Sequence, residues 1–260
     1  MSQPSCAADW GAGCYPITFL SGQLAIQLER LLQSQGFGSR KACRALIEAG
    51  AVTIGGTPCT DARAEYEPDG LIFTVDDEAW AYRERVYLLL HKPAGYECSR
   101  NPQHHPSVLA LLPPPLRERG VQPVGRLDED TTGLLLLTDD GPCLHALTHP
   151  RRHVPKRYLA RLKHPIDAAL LQALHEGVML HGEQMPLAAP DASAVDMHTL
   201  ALAIDQGKYH QVKRMVAAAG NRVEQLHRAE LGGLALGGLA VGEWRYLDAA
   251  DLASIPYPAG

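Results

Sequence analysis

The stretch that most restricts how this chain can fold is Gly125-Arg126-Leu127-Asp128-Glu129-Asp130-Thr131-Thr132-Gly133-Leu134-Leu135-Leu136-Leu137-Thr138. Four consecutive leucines, then Thr138 and the turn signal Asp139-Asp140-Gly141, predict a short and fully buried strand. The first half predicts a tight polar turn, with Gly125 and Gly133 free to take positive φ and Thr131 and Thr132 able to bond nearby backbone. Asp128 falls on that turn, just ahead of the strand, where a rigid scaffold holds a carboxylate open to a ligand. Arg126 stands two residues away, within reach to keep Asp128 ionised or to grip a phosphate.

Three readings of this stretch are open. It is a surface turn capping a core strand, a calcium loop, or a loop presenting a catalytic aspartate. For calcium, Asp128, Asp130 and Thr132 fall at the first, third and fifth EF-hand positions, Gly133 at the sixth, Leu135 at the eighth and Asp139 at the twelfth. The flanks weigh against it, because an EF-hand needs a helix on each side. Here Gln122-Pro123-Val124-Gly125 enters and Asp140-Gly141-Pro142 leaves, and the leucine run puts no oxygen ligand at the ninth position.

The rest of the chain narrows the choice. Its 260 residues suffice for one large domain or two unequal ones. The net charge of −5 does not itself suggest a polyanion ligand, but the basic residues cluster. From Arg151 to His164 six Arg or Lys occur with no acid: Arg151, Arg152, Lys156, Arg157, Arg161 and Lys163. One tyrosine and two histidines are interleaved with them, which favours RNA over a merely solvated face. The six cysteines are scattered without a Cys-x-x-Cys pair, which argues against a zinc ribbon or disulfide scaffold and suits a reducing cytosol. His145 and His149 share helical spacing, but no third metal ligand accompanies them. No run approaches the roughly 18 apolar residues of a membrane helix, and the first 20 residues lack the basic start of a secretory signal.

Taken in order, residues 1–23 read as a loose extension. Leu28, Leu31 and Leu32 recur at helical spacing, Gly36-Phe37-Gly38 breaks that helix, and Ser39 caps a second one, Arg40 to Ala49, closed by Gly50. A strand over Ala51–Ile54 and a turn at Gly55-Gly56 follow. Arg40, Lys41 and Arg44 lie within one turn of each other and make a compact cationic patch. Asp76 to Arg85 reads as a charged inter-domain linker. Val86–Leu90 begins a new core and runs into Lys92-Pro93-Ala94-Gly95-Tyr96, a turn with a lysine at its mouth. Tyr158–Leu162 alternates as a strand, with Tyr158, Ala160 and Leu162 on one face. A helix through about Glu176, a strand over Leu200–Ile204 and a helix over Tyr209–Ala219 follow. Val212, Met215, Val216 and Ala219 form the core stripe of that last helix, and Lys213 and Arg214 lie off it. Further strands occupy 222–247, and 248–260 looks like a tail.

Residues 28–32, 39–42 and 47–56 resemble the αL-motif RNA-binding domain named after a small-subunit ribosomal protein, the S4 domain. Where that family often begins Arg-Leu-Asp, Gln27-Leu28-Glu29 stands here, so one cation is missing. The resemblance implies that Arg40, Lys41 and Arg44 face an RNA backbone. Gly125-Arg126-Leu127-Asp128, Lys156-Arg157-Tyr158, Gly207-Lys208-Tyr209-His210-Gln211-Val212-Lys213-Arg214-Met215 and Leu226-His227-Arg228 together resemble the RNA pseudouridine synthases. Order and separation match the branch that modifies ribosomal RNA at single sites, and the 207–215 motif is closer to the small-subunit (RsuA) type than to its arginine-rich large-subunit relatives. Arg157 departs from the family's frequent threonine.

The resemblance implies an α+β protein: an S4-like unit over 24–84, then a catalytic domain over 85–247 built on a mixed, mostly antiparallel sheet flanked by helices. It implies an isomerase acting on 16S ribosomal RNA, at uridine 516, without metal or cofactor. Its partner is small-subunit RNA or an assembly intermediate, met by a cytoplasmic monomer away from membranes. The reaction breaks N1–C1′ and rejoins the base through C5, which needs a nucleophile or charge partner beside the sugar and base. Asp128 takes that role, at C6 of the base or in elimination across C1′ and C2′. Tyr158 stacks on the uracil, stacking being a safer role for a phenol than proton abstraction. Lys213 pairs with Asp128. The expected RNA contacts are Arg126, Arg40, Lys41, Arg44, Lys92, Arg151, Arg152, Lys156, His210, Gln211 and Arg214.

Overall fold

The computed structural model describes residues 25–149 and 152–256. The expected extension over 1–23, and Arg151, lie outside the described residues. The N-terminal unit runs β1 (Ile26–Gln27), α1 (Leu28–Ser34), α2 (Arg40–Glu48), β2 (Val52–Ile54), β3 (Thr57–Pro58), β4 (Glu65–Tyr66), β5 (Ile72–Val75) and β6 (Glu78–Ala81). Leu28, Leu31 and Leu32 from α1 meet Cys43 and Ile47 from α2 over Val52, Phe73 and Val75 of the small sheet, ordered β3-β2-β5-β6. Ser39 caps α2 as its sequence predicts, its hydroxyl accepting from the Ala42 N–H.

The charged stretch expected to be a linker is only partly one. Val75 pairs with Glu78, which leaves Asp76 and Asp77 as a two-residue hairpin loop with φ of 49° and 63°. That is the left-handed pair a primed turn requires, and aspartate tolerates it better than most residues. The strand β6 therefore belongs to the first unit.

The second unit runs β7 (Tyr87–Lys92), a 3-10 turn at Val108–Leu111, α3 (Pro114–Glu118), β8 (Gln122–Pro123), β9 (Thr132–Thr138), α4 (Gly141–Thr148), β10 (Lys156–Leu162) and α5 (Ala168–Glu176). It continues with β11 (Ser193–Ala194), β12 (Thr199–Ile204), α6 (Gln211–Ala218), β13 (Val223–Leu231), β14 (Leu234–Ala235), β15 (Trp244–Tyr246) and α7 (Ala249–Ser254). The large sheet has the order β11-β12-β10-β13-β9-β7-β15, with the short strands β8 and β14 paired to β9 and β13. It is mixed and mostly antiparallel: β9 and β13 are parallel, and the other pairs are antiparallel.

The four leucines of β9 divide between two cores. Leu135 and Leu137 join Leu88, Leu90, Tyr158, Ala160, Val212 and Met215 on one face, while Leu134 and Leu136 join Leu89, Val124, Cys143 and Leu147 on the other. A strand covered on both sides has no polar face to show, which is why the run is unbroken. The same strand removes the calcium reading: Thr132–Thr138 is ladder, not ligand loop, and Asp139 is taken up by Arg119 and the Val86 N–H. The expected tail is also corrected in part. Asp248 and Asp251 form a capping box that starts α7, Asp251 pairs with Arg245, and Ile255 is buried in the second core.

Candidate active site

The turn before β9 is held from below. Its carbonyls at Glu129 and Thr131 accept from the Lys92 ammonium at 3.0 and 2.8 Å, and Glu129 O also accepts from the Gly95 N–H at 2.8 Å. Thr131 N–H closes the turn onto the Asp128 carbonyl. Gly133 follows at φ 107°, where the chain slides against β13 so closely that a Cβ would lie 2.3 Å from the Arg228 carbonyl oxygen. Glycine is required there twice over, by backbone angle and by space.

This support leaves the half-buried Asp128 carboxylate facing the start of α6. Lys213 Nζ lies 3.3 Å from Oδ2 and His210 Nε2 lies 3.2 Å from Oδ1. Lys213 also donates to both oxygens of Asp130, at 2.6 and 2.8 Å, so one cation bridges two acids. Burial works against the charge on Lys213, but the Asp130 hydrogen bonds and the Asp128 charge outweigh it and hold the ammonium pKa above its ordinary value. His210 adopts the left-handed conformation (φ 46°) as the N-cap of α6, and its ring stacks on Tyr209 at 3.8 Å. That strained backbone turns the imidazole toward Asp128.

A cleft of about 640 Å³ opens beside Asp128. Arg126 and His210 line its rim, and Tyr158, Lys156 and Arg228 line its floor. Tyr158 stands on β10 directly opposite Arg228 on β13, so the two side chains share one face of the sheet. The volume suits a single small organic group, and the lining combines an apolar wall with a few charged ones.

A family model for RNA pseudouridylate synthase matches residues 86–218, and one for the S4 domain matches 28–70. The chain belongs to the RNA pseudouridine synthase family. It is 39% identical over 231 residues to an uncharacterized RNA pseudouridine synthase, YtzG, of Bacillus subtilis, covering 87% of this chain and 97% of that one. It is 38% identical over 232 residues to ribosomal small subunit pseudouridine synthase A of Escherichia coli K12, covering 88% of this chain and all of the relative. A crystal structure of a pseudouridylate synthase superposes with a TM-score of 0.62 at 33% identity, covering 88% of this chain and 99% of the other.

The synthase brings together Asp128, Tyr158, Lys213, Arg126, Lys156 and His210. It does not place every expected contact on RNA. Lys92 has no exposed surface: its ammonium donates to three carbonyls under the turn, so it is a clamp and cannot meet a phosphate. Gln211 is buried, its side-chain oxygen accepting from the Lys208 N–H and its amide against Met215 sulfur, so it caps the helix start. Arg214 turns back to the carbonyls of Tyr209 and His181. On α2 Arg40 and Lys41 are exposed, while Arg44 pairs with Glu29 at 2.6 Å. Arg152 is exposed beside the cleft-lining His153. The basic run is also less uniform than it reads, since Glu230 on β13 and Asp191 in the turn before β11 flank Arg157, and Asp205 pairs with His153.

Two groups in the synthase cleft gain their character only from the fold. Lys156 donates to the carbonyls of Val154 and Asp205, and burial, helped by the Arg228 charge, lowers its pKa to about 8. Arg228 is 2% exposed. Its motif was visible in the sequence, and the i, i+2 spacing of Leu226 and Arg228 was the signal that both would face the same side.

Proposed function

We propose that this synthase converts uridine 516 of 16S ribosomal RNA to pseudouridine, with Asp128 as the nucleophile. The observation that carries the reading is Asp128 itself: a half-buried carboxylate on a pinned turn, opening into a cleft, with Lys213 and His210 within 3.3 Å. Relatives named ribosomal small subunit pseudouridine synthase A in Escherichia coli and Yersinia pestis, each matched over nearly their whole length, support the small-subunit target.

The target base leaves its stack, at about a few kcal/mol, and enters the cleft against Tyr158. Asp128 then either adds to C6 or assists departure of the base from C1′; in both routes the uracil turns and rejoins through C5. The C5 proton is lost and N1 gains one, so the change is an isomerisation with no oxidant or donor consumed. Lys213 holds Asp128 and Asp130 in place as anions. Arg126 and Arg152, exposed near the cleft, with Arg40 and Lys41 on the S4 domain, carry the phosphate contacts. The two functional units divide near residue 84, and the protein works as a cytoplasmic monomer on small-subunit RNA or an assembly intermediate. No helix among the described residues is long and apolar enough to cross a membrane.

Tritium release from C5-labelled uridine in small-subunit RNA tests the chemistry. Wild type releases tritium and Asp128→Asn does not; release that persists in Asp128→Asn removes the nucleophile assignment. Mapping pseudouridine in ribosomal RNA from cells lacking the protein tests the site, and loss at a large-subunit position instead would move the substrate.

A further inference from the structure

Arg228 is a buried cation without an anion. Its Nε donates to the Leu134 carbonyl at 2.7 Å, and Nη2 is buried with no partner. No carboxylate pairs with it among the described residues, whereas Arg119, whose side chain is also nearly buried, has Asp139. The Leu134 carbonyl explains part of the placement. The strands β9 and β13 pair over only two residues, His227 with Thr132 and Arg228 with Gly133, and the side chain caps the carbonyl where they part. One neutral carbonyl does not account for a guanidinium with five donors. Burying that charge unpaired is costly, and the fold adds Lys156 beside it on the same floor, which has no carboxylate contact of its own among the described residues either.

The reaction supplies the missing charge. If Asp128 adds at C6, the C5=C6 electron pair moves toward the C4 carbonyl oxygen. If the base departs from C1′, the N1–C1′ pair stays on the ring, shared with the oxygens on C2 and C4. Either way the uracil becomes anionic before it rejoins the sugar. A base stacked on Tyr158 has its edge beside Arg228, because directly opposed residues on neighbouring strands place their Cβ atoms about 5 Å apart. The backbone phosphates have the exposed Arg126 at the rim instead.

We propose that Arg228 is a further catalytic residue, whose guanidinium receives the negative charge that passes to a carbonyl oxygen of the uracil as the glycosidic bond opens. A donor already fixed before charge develops stabilises the transition state more than the ground state. This inference rests on the reading of Asp128 and Tyr158 given above.

The test is single-turnover tritium release from C5-labelled small-subunit RNA by wild type, Asp128→Asn, Arg228→Met and Arg228→Lys, with RNA affinity and melting temperature measured on each. The expected result is a rate at saturating RNA about 100-fold lower in Arg228→Met, the scale of losing one such donor, with affinity within about threefold. Arg228→Lys, which keeps charge but not the Nε geometry, recovers most of the rate. Equal losses in both variants with matching drops in melting temperature would make Arg228 structural and overturn the proposal. So would weakened affinity with an intact saturating rate, the mark of a phosphate contact. If Arg228→Met does not fold, Arg228→Lys decides: a rate within about tenfold of wild type supports the proposal, and a rate near that of Asp128→Asn overturns it. Activity retained in Asp128→Asn sinks the reading of the nucleophile instead, whatever Arg228 does.

Discussion

Replacing Lys92 by methionine separates a clamp from a nucleic-acid contact. The ammonium has no exposed surface and donates to Pro93, Glu129 and Thr131 carbonyls at 3.0, 3.0 and 2.8 Å. Hydrogen bonds from a charged donor contribute about 1.5–3 kcal/mol each, while burying the ammonium costs several kcal/mol. Burial pulls its pKa below the ordinary lysine value, with the nearby acids of the turn opposing the shift. Methionine fills most of the volume and removes the desolvation cost, but it strands buried carbonyls at about 1–3 kcal/mol apiece. The net loss is about 3 kcal/mol, a fall in melting temperature of about 6–12 °C for a chain of this size. Because two of the three acceptors lie in the turn that carries Asp128, the carboxylate shifts as well, and a displacement of about 1 Å costs about 100-fold in rate. Thermal melts, single-turnover rates and salt titrations of RNA binding check this together. A variant with wild-type stability and rate, but weaker RNA binding and a shallower salt slope, would refute the clamp and return Lys92 to the RNA surface.

Four further tests probe other parts of the molecule. Lys213→Met leaves Asp128 and Asp130 facing each other without their cation, and single-turnover rates should fall at least about 100-fold, with Lys213→Arg less affected. Gly133→Ala puts a methyl 2.3 Å from the Arg228 carbonyl oxygen at φ 107°; denaturant unfolding should show a loss of about 3 kcal/mol or more. Lys156 loses its proton through about pH 8, ahead of Lys213, whose acids hold its proton on. Raising pH from 7 to 9 therefore removes a positive charge from the cleft floor beside Arg228 and Asp205, and RNA turnover should decline over that window. In Lys156→Arg, whose charge persists, pH–rate profiles should lose that decline. Replacing Arg40 and Lys41 together by alanine should reduce the slope of log affinity against log salt by about 1.4, at about 0.7 per phosphate on single-stranded RNA, with the saturating rate unaffected.

What the linear sequence reveals here depends on how far apart the deciding partners lie. The β9 strand was legible because four adjacent leucines state their own burial, and α2 because Ser39 and Gly50 mark its ends within a dozen residues. Asp76-Asp77 misled because paired acids suit both a solvated linker and a left-handed turn, and only pairing of β5 with β6 decides between them. The helix after Asp248 carries its own signal, an acid three residues after an N-cap acid, but its 6 residues are too few to show a periodic apolar stripe. Lys92 was harder: its acceptors at Glu129 and Thr131 lie 37 and 39 residues further on.

Asp128 sits between these limits. Its motif marks the residue, but nothing local specifies that Lys213 reaches it from 85 positions away along the chain, or that Arg228 closes the floor from a strand parallel to β9. The single parallel pairing in the large sheet brings those pieces together, because it sets the turn carrying Asp128 against β13 while β10 delivers Tyr158 on the far side of the same strand. Antiparallel neighbours joined by short hairpins would have placed local residues around Asp128. A parallel neighbour recruits distant ones, so a motif search finds the centre of this site more readily than its walls.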